Sequence, residues 1–167
     1  DFFTKGLNIL DDHDHQVLEK PSSNDKNNSE QKESWQLTYE EGRKVIESMR
    51  FAETSSLFGN EKDNSFKSTL GAIYQTFGGK DVYPTLEEKA ANLLYMLVKN
   101  HSFNDGNKRI AAALFIYFLE RNNLLFDTNK IPIIDNNTLA AMTLMIALSK
   151  PEEKEIMCLL VLNMLNK

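Results

Sequence analysis

The stretch Thr85–Arg121 reads TLEEKAANLLYMLVKNHSFNDGNKRIAAALFIYFLER. Two strongly apolar runs, residues 90–98 and 110–119, flank a loop that packs a histidine, an acid, a glycine, an amide and two cations into residues 101–109. Thr85-Leu-Glu-Glu88 has capping-box spacing, which predicts a helix from there to about Lys99. A second helix is predicted from near Asn107 to just before Asn122-Asn123. Both are apolar on nearly all sides, and that predicts central burial for both.

Working outward, Thr38-Tyr-Glu-Glu41 repeats the capping-box spacing and opens a helix to about Arg50. Residues 54–64 are polar, contain Gly59 and Asn60, and read as a loop. Residues 65–77 are ambiguous between a short helix and an extended segment. Gly78, Gly79 and Pro84 then break regular structure. Residues 126–135 read as a loop. Asn137 or Thr138 is expected to cap a helix to about Ser149, and Pro151 suits the first turn of a last helix. No internal repeat appears. The fold class is therefore all-α, a compact helical bundle with a small extended hairpin or flap near 73–84.

The first ten residues carry a few apolar side chains that suit docking. Next come DDHDH (11–15) and a stretch with almost no apolar side chains, which reads as a flexible linker. This divides the chain into an N-terminal segment, 1–34, and a compact domain, 35–167. DDHDH holds metal-ligand chemistry, and a metal hydrolase centred there is the sharper reading of it. A solvated acidic turn is the favoured one, because a short tract is only compositional evidence.

The 167 residues suffice for one domain with a real core. A hydrophobic content of 41% and a charged content of 26% are those of an ordinary globular chain. The net charge of −5 argues against a broad nucleic-acid or anionic-membrane surface. The single cysteine, Cys158, cannot form an internal disulfide and sits in an apolar run, so it is expected to be buried and inert. A reducing cytoplasm fits. No apolar run is long enough for a bilayer helix, and no secretory signal is visible. The chain opens at Asp1, which leaves open a signal or a further domain upstream.

The polar loop carries the chemistry. The first N–H groups of a helix lack partners and form the positive end of its dipole, an anion site that suits phosphate. Lys108 and Arg109 add formal charge there, Arg109 as a bidentate fork. Cations at a helix N-terminus are unfavourable by themselves, so something anionic should offset them. Asp105 either pairs with these cations or holds Mg²⁺ together with substrate phosphates. His101 is the histidine beside the loop, and imidazole is the side chain suited to a general base near neutral pH. Phe103 reads as an anchor into the core. Together these features point to transfer of a phosphate-containing group to a hydroxyl.

HSFNDGNKR (101–109) resembles the Fic/Doc signature, His-x-Phe-x-Asp/Glu-Gly/Ala-Asn-Gly/Lys-Arg, at seven defined positions. The resemblance extends over residues 85–121 and over FGGKDVYPT before them. It implies a Fic-type all-α fold and Mg-nucleotide-dependent modification of a Ser, Thr or Tyr hydroxyl on a target protein, with ATP or a related nucleotide as donor. By resemblance, His101 deprotonates the target hydroxyl and Asp105 binds Mg²⁺. Gly106, Asn107 and Lys108 form the anion cradle, and Arg109 neutralises phosphate charge. Phe77, Gly78, Gly79, Lys80, Asp81 and Val82 look like the flap that aligns the target by strand-like pairing. An antitoxin or other inhibitory partner is also implied.

Two positions separate the branches of the family. AMP-transferring members resemble one another in having Gly where this chain has Lys108 and a second Arg where it has Ala112. The Doc branch, which transfers phosphate, has Lys at the first and lacks the second Arg, and this chain is closer to it. The inhibitory Ser/Thr-x-x-x-Glu-Gly/Asn pattern is absent. Thr38-Tyr-Glu-Glu-Gly42 is one residue short, and Lys154 stands where the stretch from Ser149 needs Gly or Asn. The alternative function is a non-catalytic nucleotide-binding or toxin–antitoxin interaction module.

Other features read as structure. GGK at 78–80 fails as a P-loop, because Tyr74 and Asp81 stand where Gly and Ser/Thr are required. Phe115, Tyr117 and Phe118 are expected in the core rather than on a stacking platform. Met142, Met145 and Met164 are expected in the core too, with a partner surface as the lesser reading.

Overall fold

The computed structural model describes residues 34–166. Six helices follow one another: α1 (Tyr39–Arg50), α2 (Ser65–Ile73), α3 (Leu86–Lys99), α4 (Asn107–Arg121), α5 (Asn136–Leu148) and α6 (Lys154–Leu165). Between α2 and α3 lies one antiparallel hairpin, β1 (Thr76–Phe77) and β2 (Lys80–Asp81). The expected all-α bundle with a small hairpin is what forms. The DDHDH tract and the rest of the N-terminal segment up to residue 33 lie outside the described residues.

α3 is the axis of the bundle and packs against α2, α4, α5 and α6. Its centre is Ala90, Ala91, Leu93, Leu94 and Leu97, none more than 1% exposed. Glu87, Glu88, Lys89 and Asn92 are also buried; Glu87 Oε1 has no hydrogen-bond partner among the described residues, whereas Lys89 and Asn92 are compensated. Lys89 Nζ donates to Asp81 Oδ2 at 3.1 Å and to the Tyr83 carbonyl. Asn92 Nδ2 donates to the Glu88 carbonyl at 2.9 Å. Central burial is thus correct for α3.

It is only half correct for α4. Ile110, Ala111, Leu114, Phe115, Phe118 and Leu119 face inward, while Ala112, Ile116 and Tyr117 are half-buried and Lys108, Arg109, Glu120 and Arg121 are exposed. α4 packs against α1, α3 and α5, which leaves a side open. Tyr117 spends its half-exposure on an edge-on contact with Trp35, at 5.2 Å between centroids, and on a hydrogen bond to Glu41.

Local signals place most boundaries. The Thr38 hydroxyl accepts from Glu41 N–H and the Thr85 hydroxyl from Glu88 N–H, as the capping spacing requires. The ambiguous 65–77 segment is a helix to Ile73 followed by a strand. Gly78 and Gly79 both have positive φ, +61° and +79°, the backbone that a two-residue hairpin turn needs. The cap of α5 is Asp135, not Asn137 or Thr138, because its carboxylate accepts from Thr138 N–H at 2.7 Å. Pro151 opens a single 3-10 turn, Pro151–Glu153, that leads into α6. Met142 and Met164 are core and Met145 is half-buried against it. Cys158 is half-buried, and burial pushes its thiol up to about 11. Among the described residues no helix is long and apolar enough to cross a membrane.

Candidate active site

The loop between α3 and α4 is framed before it is functional. Residues 58–62 run beside it, turning at Gly59 (φ +72°), with isolated bridges Phe58–Asp105 and Glu61–Phe103. Main-chain bonds join the two: Gly59 N–H to Asp105 C=O at 3.1 Å, Lys62 N–H to Ser102 C=O at 2.9 Å, and Asn104 N–H to Asn60 C=O at 2.8 Å. Two arginines of α1 fasten that segment. Arg50 Nη2 donates to the Phe58 carbonyl at 2.8 Å and to Asn60 Oδ1 at 2.7 Å, and Arg43 Nη1 donates to the Gly59 carbonyl at 2.7 Å.

Within the loop, Phe103 is 1% exposed and lies 5.2 Å from Phe66, ring to ring, so it is the expected anchor. Asn107 uses its whole side-chain amide on Phe103: Oδ1 accepts from the Phe103 N–H at 2.9 Å and Nδ2 donates to its carbonyl at 2.8 Å. What Asn107 can offer an anion is therefore its backbone N–H. Gly106 has φ +88°, and a Cβ there would lie 2.3 Å from the Phe58 ring. Only glycine satisfies both the backbone and the space.

His101 is the residue after the Asn100 C-cap of α3 and has φ +48°, the left-handed conformation that usually falls to glycine at such a helix end. Its neighbours are tied down on both sides. Asn100 Nδ2 donates to Thr69 Oγ1 at 2.9 Å, and the Ser65 hydroxyl donates to Ser102 Oγ at 2.6 Å. Between them the imidazole is exposed. A strained backbone at a polar loop is where function tends to be stored.

A cavity of about 380 Å³ brings together His101, Asp105, Gly106, Asn107, Lys108 and Arg109, with Val98 and Ala147 as apolar walls. α4 opens there with no side-chain cap, so its first N–H groups retain their capacity for an anion. Asp105 is 41% exposed and its Oδ2 stands 3.9 Å from Arg109 Nη2, an ion pair too long for a hydrogen bond. Among the described residues no group of three or more His, Cys, Asp and Glu could hold a metal ion alone. One carboxylate beside a phosphate cradle does fit Mg²⁺, which takes one or two carboxylates and completes its shell with phosphate oxygens and water.

Asp105 is not the only acid beside the cations. Arg109 Nη1 donates to Glu53 Oε1, from the loop after α1, and the Arg109 guanidinium lies 5.0 Å from the centre of the Phe58 ring. Glu53 is 56 residues away in sequence, and no local pattern marks it.

The hairpin residues Phe77, Gly78, Gly79, Lys80 and Asp81 do not line this cavity. They are exposed, Phe77 at 86%, and their C-terminal leg is clasped by Lys89 through Asp81 and Tyr83. Val82 lines a separate cavity of about 670 Å³ with Tyr83, Glu88, Asn92 and Cys158.

The fold and this loop are those of a known class. Residues 36–119 match the Fic/DOC family, and the chain belongs to it. Over 49 residues the chain is 49% identical to the toxin Doc of Mycolicibacterium smegmatis. That stretch is 29% of this chain and 38% of the relative, so the chain spans well under half the length of the curated protein it matches. No solved structure matches the chain.

Proposed function

We propose that this chain transfers a phosphate-containing group, AMP or phosphoryl, from a Mg-bound nucleotide such as ATP to a Ser, Thr or Tyr hydroxyl of a target protein. The observation that carries the reading is the gathering of an exposed imidazole, a carboxylate, an uncapped helix N-terminus and two cations around one cavity. His101 takes the proton of the target hydroxyl. The freed oxygen attacks phosphorus, and the bond from that phosphorus to its leaving group breaks. The leaving group is diphosphate if AMP moves and ADP if the γ-phosphoryl moves. The backbone N–H groups of Asn107 and Lys108 receive phosphate oxygens, and Lys108 and Arg109 balance the charge that develops. Asp105 would hold Mg²⁺, which when bound neutralises phosphate charge and fixes the phosphates in place.

Lys108 and Ala112 favour phosphoryl transfer of the two. Ala112 offers no second cation for the terminal phosphates, and Lys108 places a long, exposed side chain in the cradle. Similarity to the toxin Doc supports a role as the toxic member of a toxin–antitoxin pair, with a protein antitoxin as partner.

ATP labelled at the α or the γ phosphate separates the outcomes. Label passing from γ to a lysate protein supports phosphoryl transfer, and from α supports AMP transfer. His101→Ala is expected to abolish transfer and keep Mg-ATP binding within about twofold, because the base lies outside the cradle. Binding without any label transfer by the wild type would sink the enzyme reading and leave the interaction module.

A further inference from the structure

We infer that Glu53 is a positioning residue for Arg109, and so the anion that makes this cationic helix start tolerable and usable. The inference rests on the proposed nucleotide reading. Lys108 and Arg109 stand in the first turn of α4, the positive end of the helix dipole, with no acid in that turn. Left alone, the long Arg109 side chain would sample many rotamers pointing away from this end. Three contacts restrain it. Glu53 Oε1 accepts from Nη1, the Phe58 ring faces the guanidinium at 5.0 Å, and Asp105 stands 3.9 Å from Nη2.

The contacts differ in strength. Asp105 is 41% exposed and beyond hydrogen-bond distance, whereas the Glu53 side chain is 17% exposed and makes the direct bond. Glu53 is therefore the strong restraint, charge-assisted and partly withdrawn from water. It uses one donor of the five in the fork. Among the described residues, the Nε–H and the Nη2 hydrogens have no acceptor within hydrogen-bond distance, and Arg109 is still 54% exposed. A guanidinium held at one nitrogen with its remaining donors unclaimed is poised for a bidentate grip on a phosphate. Glu53 is in turn placed by its backbone, whose N–H donates to the Arg50 carbonyl at 3.1 Å. Arg50 also fastens the segment that bridges to the loop. One residue of α1 thus ties the restraint and the loop to the same frame.

The test uses the full chain and two readouts. The first is the side-chain Nη1–H signal of Arg109, the group bonded to Glu53, in low-temperature ¹⁵N NMR without nucleotide. It is expected to be resolved and slowly exchanging in the wild type, preserved in Glu53→Gln, which keeps an acceptor oxygen, and merged with the exposed arginines in Glu53→Ala. The second is Mg-ATP titrated by calorimetry. Glu53→Ala is expected to bind on the order of tenfold more weakly, and Glu53→Gln to recover most of the loss, in line with groups that orient a ligating side chain. Thermal melting of each variant shows that it is folded.

Tighter binding by Glu53→Ala would make Glu53 a competitor of the phosphate and overturn the inference. Unchanged binding, or an unchanged Arg109 signal, would overturn it too. A wild type that binds no Mg-ATP sinks the nucleotide reading itself and removes the role given to Glu53. A wild type that binds while the variants match it removes Glu53 alone.

Discussion

Two neighbouring helices begin in opposite ways. α3 starts on Thr85, whose hydroxyl caps Glu88 at 3.0 Å, and its first turn carries Glu87 and Glu88. α4 starts on Gly106, with no side-chain cap, and its first turn carries Lys108 and Arg109. The residues opening α3 are buried; the two cations of α4 are exposed. By hydrogen bonding and by dipole, the start of the first helix is met by its own side chains and the start of the second is not. Stability is invested in α3, at the centre of the bundle. α4 begins uncapped at the mouth of a cavity, while α3 keeps one buried atom, Glu87 Oε1, unpartnered among the described residues.

Breaking the special start of α4 should cost most. Gly106→Ala forces a Cβ against the Phe58 ring at a positive φ, and we expect a loss of more than about 3 kcal/mol in chemical denaturation. A loss below about 1 kcal/mol would mean that the loop can reorganise and that its glycine start is not obligatory. Thr85→Ala, which unfinishes α3, should cost about 1 kcal/mol and leave Mg-ATP affinity unchanged. A change in affinity would show the two helix starts to be coupled.

His101→Gly relieves a left-handed backbone at the end of α3 and should raise stability by up to about 1 kcal/mol while ending transfer. A fall in melting temperature would deny that this position stores strain. Lys108→Glu gives α4 the charge pattern of α3. It should add about 0.3–1 kcal/mol of stability and weaken Mg-ATP by on the order of tenfold. Gain in one and loss in the other is the outcome that the contrast requires.

The finished parts were legible in the sequence, and so was the loop. Thr38 and Thr85 announce their helices because a cap and its target lie three residues apart. HSFNDGNKR is contiguous, so its residues were certain to be neighbours. What could not be read depends on distance along the chain or on degree of burial. Glu53 meets Arg109 across 56 residues. Lys89 looks like a surface cation beside Glu88, yet it is 6% exposed and clasps the base of the hairpin. The apolar run of α4 looked central because composition counts apolar residues and not the neighbours available to cover them. The cap of α5, Asp135, lies two or three residues before Asn137 and Thr138, because it closes a loop with no periodic signal.

The segment at 58–62 holds the loop chiefly by its peptide groups. A main-chain join dictates spacing and is almost blind to which side chains are present. Side chains matter at some of these positions: Phe58 is wedged against Gly106, Gly59 has φ +72° and a Cβ there would lie 2.4 Å from Ile46, and Asn60 and Glu61 accept from Arg50 and Tyr39. Deleting or adding one residue between Phe58 and Lys62 would slip every bond by one step and turn the loop's frame out of phase. In a family history of this fold, length and the glycine at 59 would be the conserved characters of that segment.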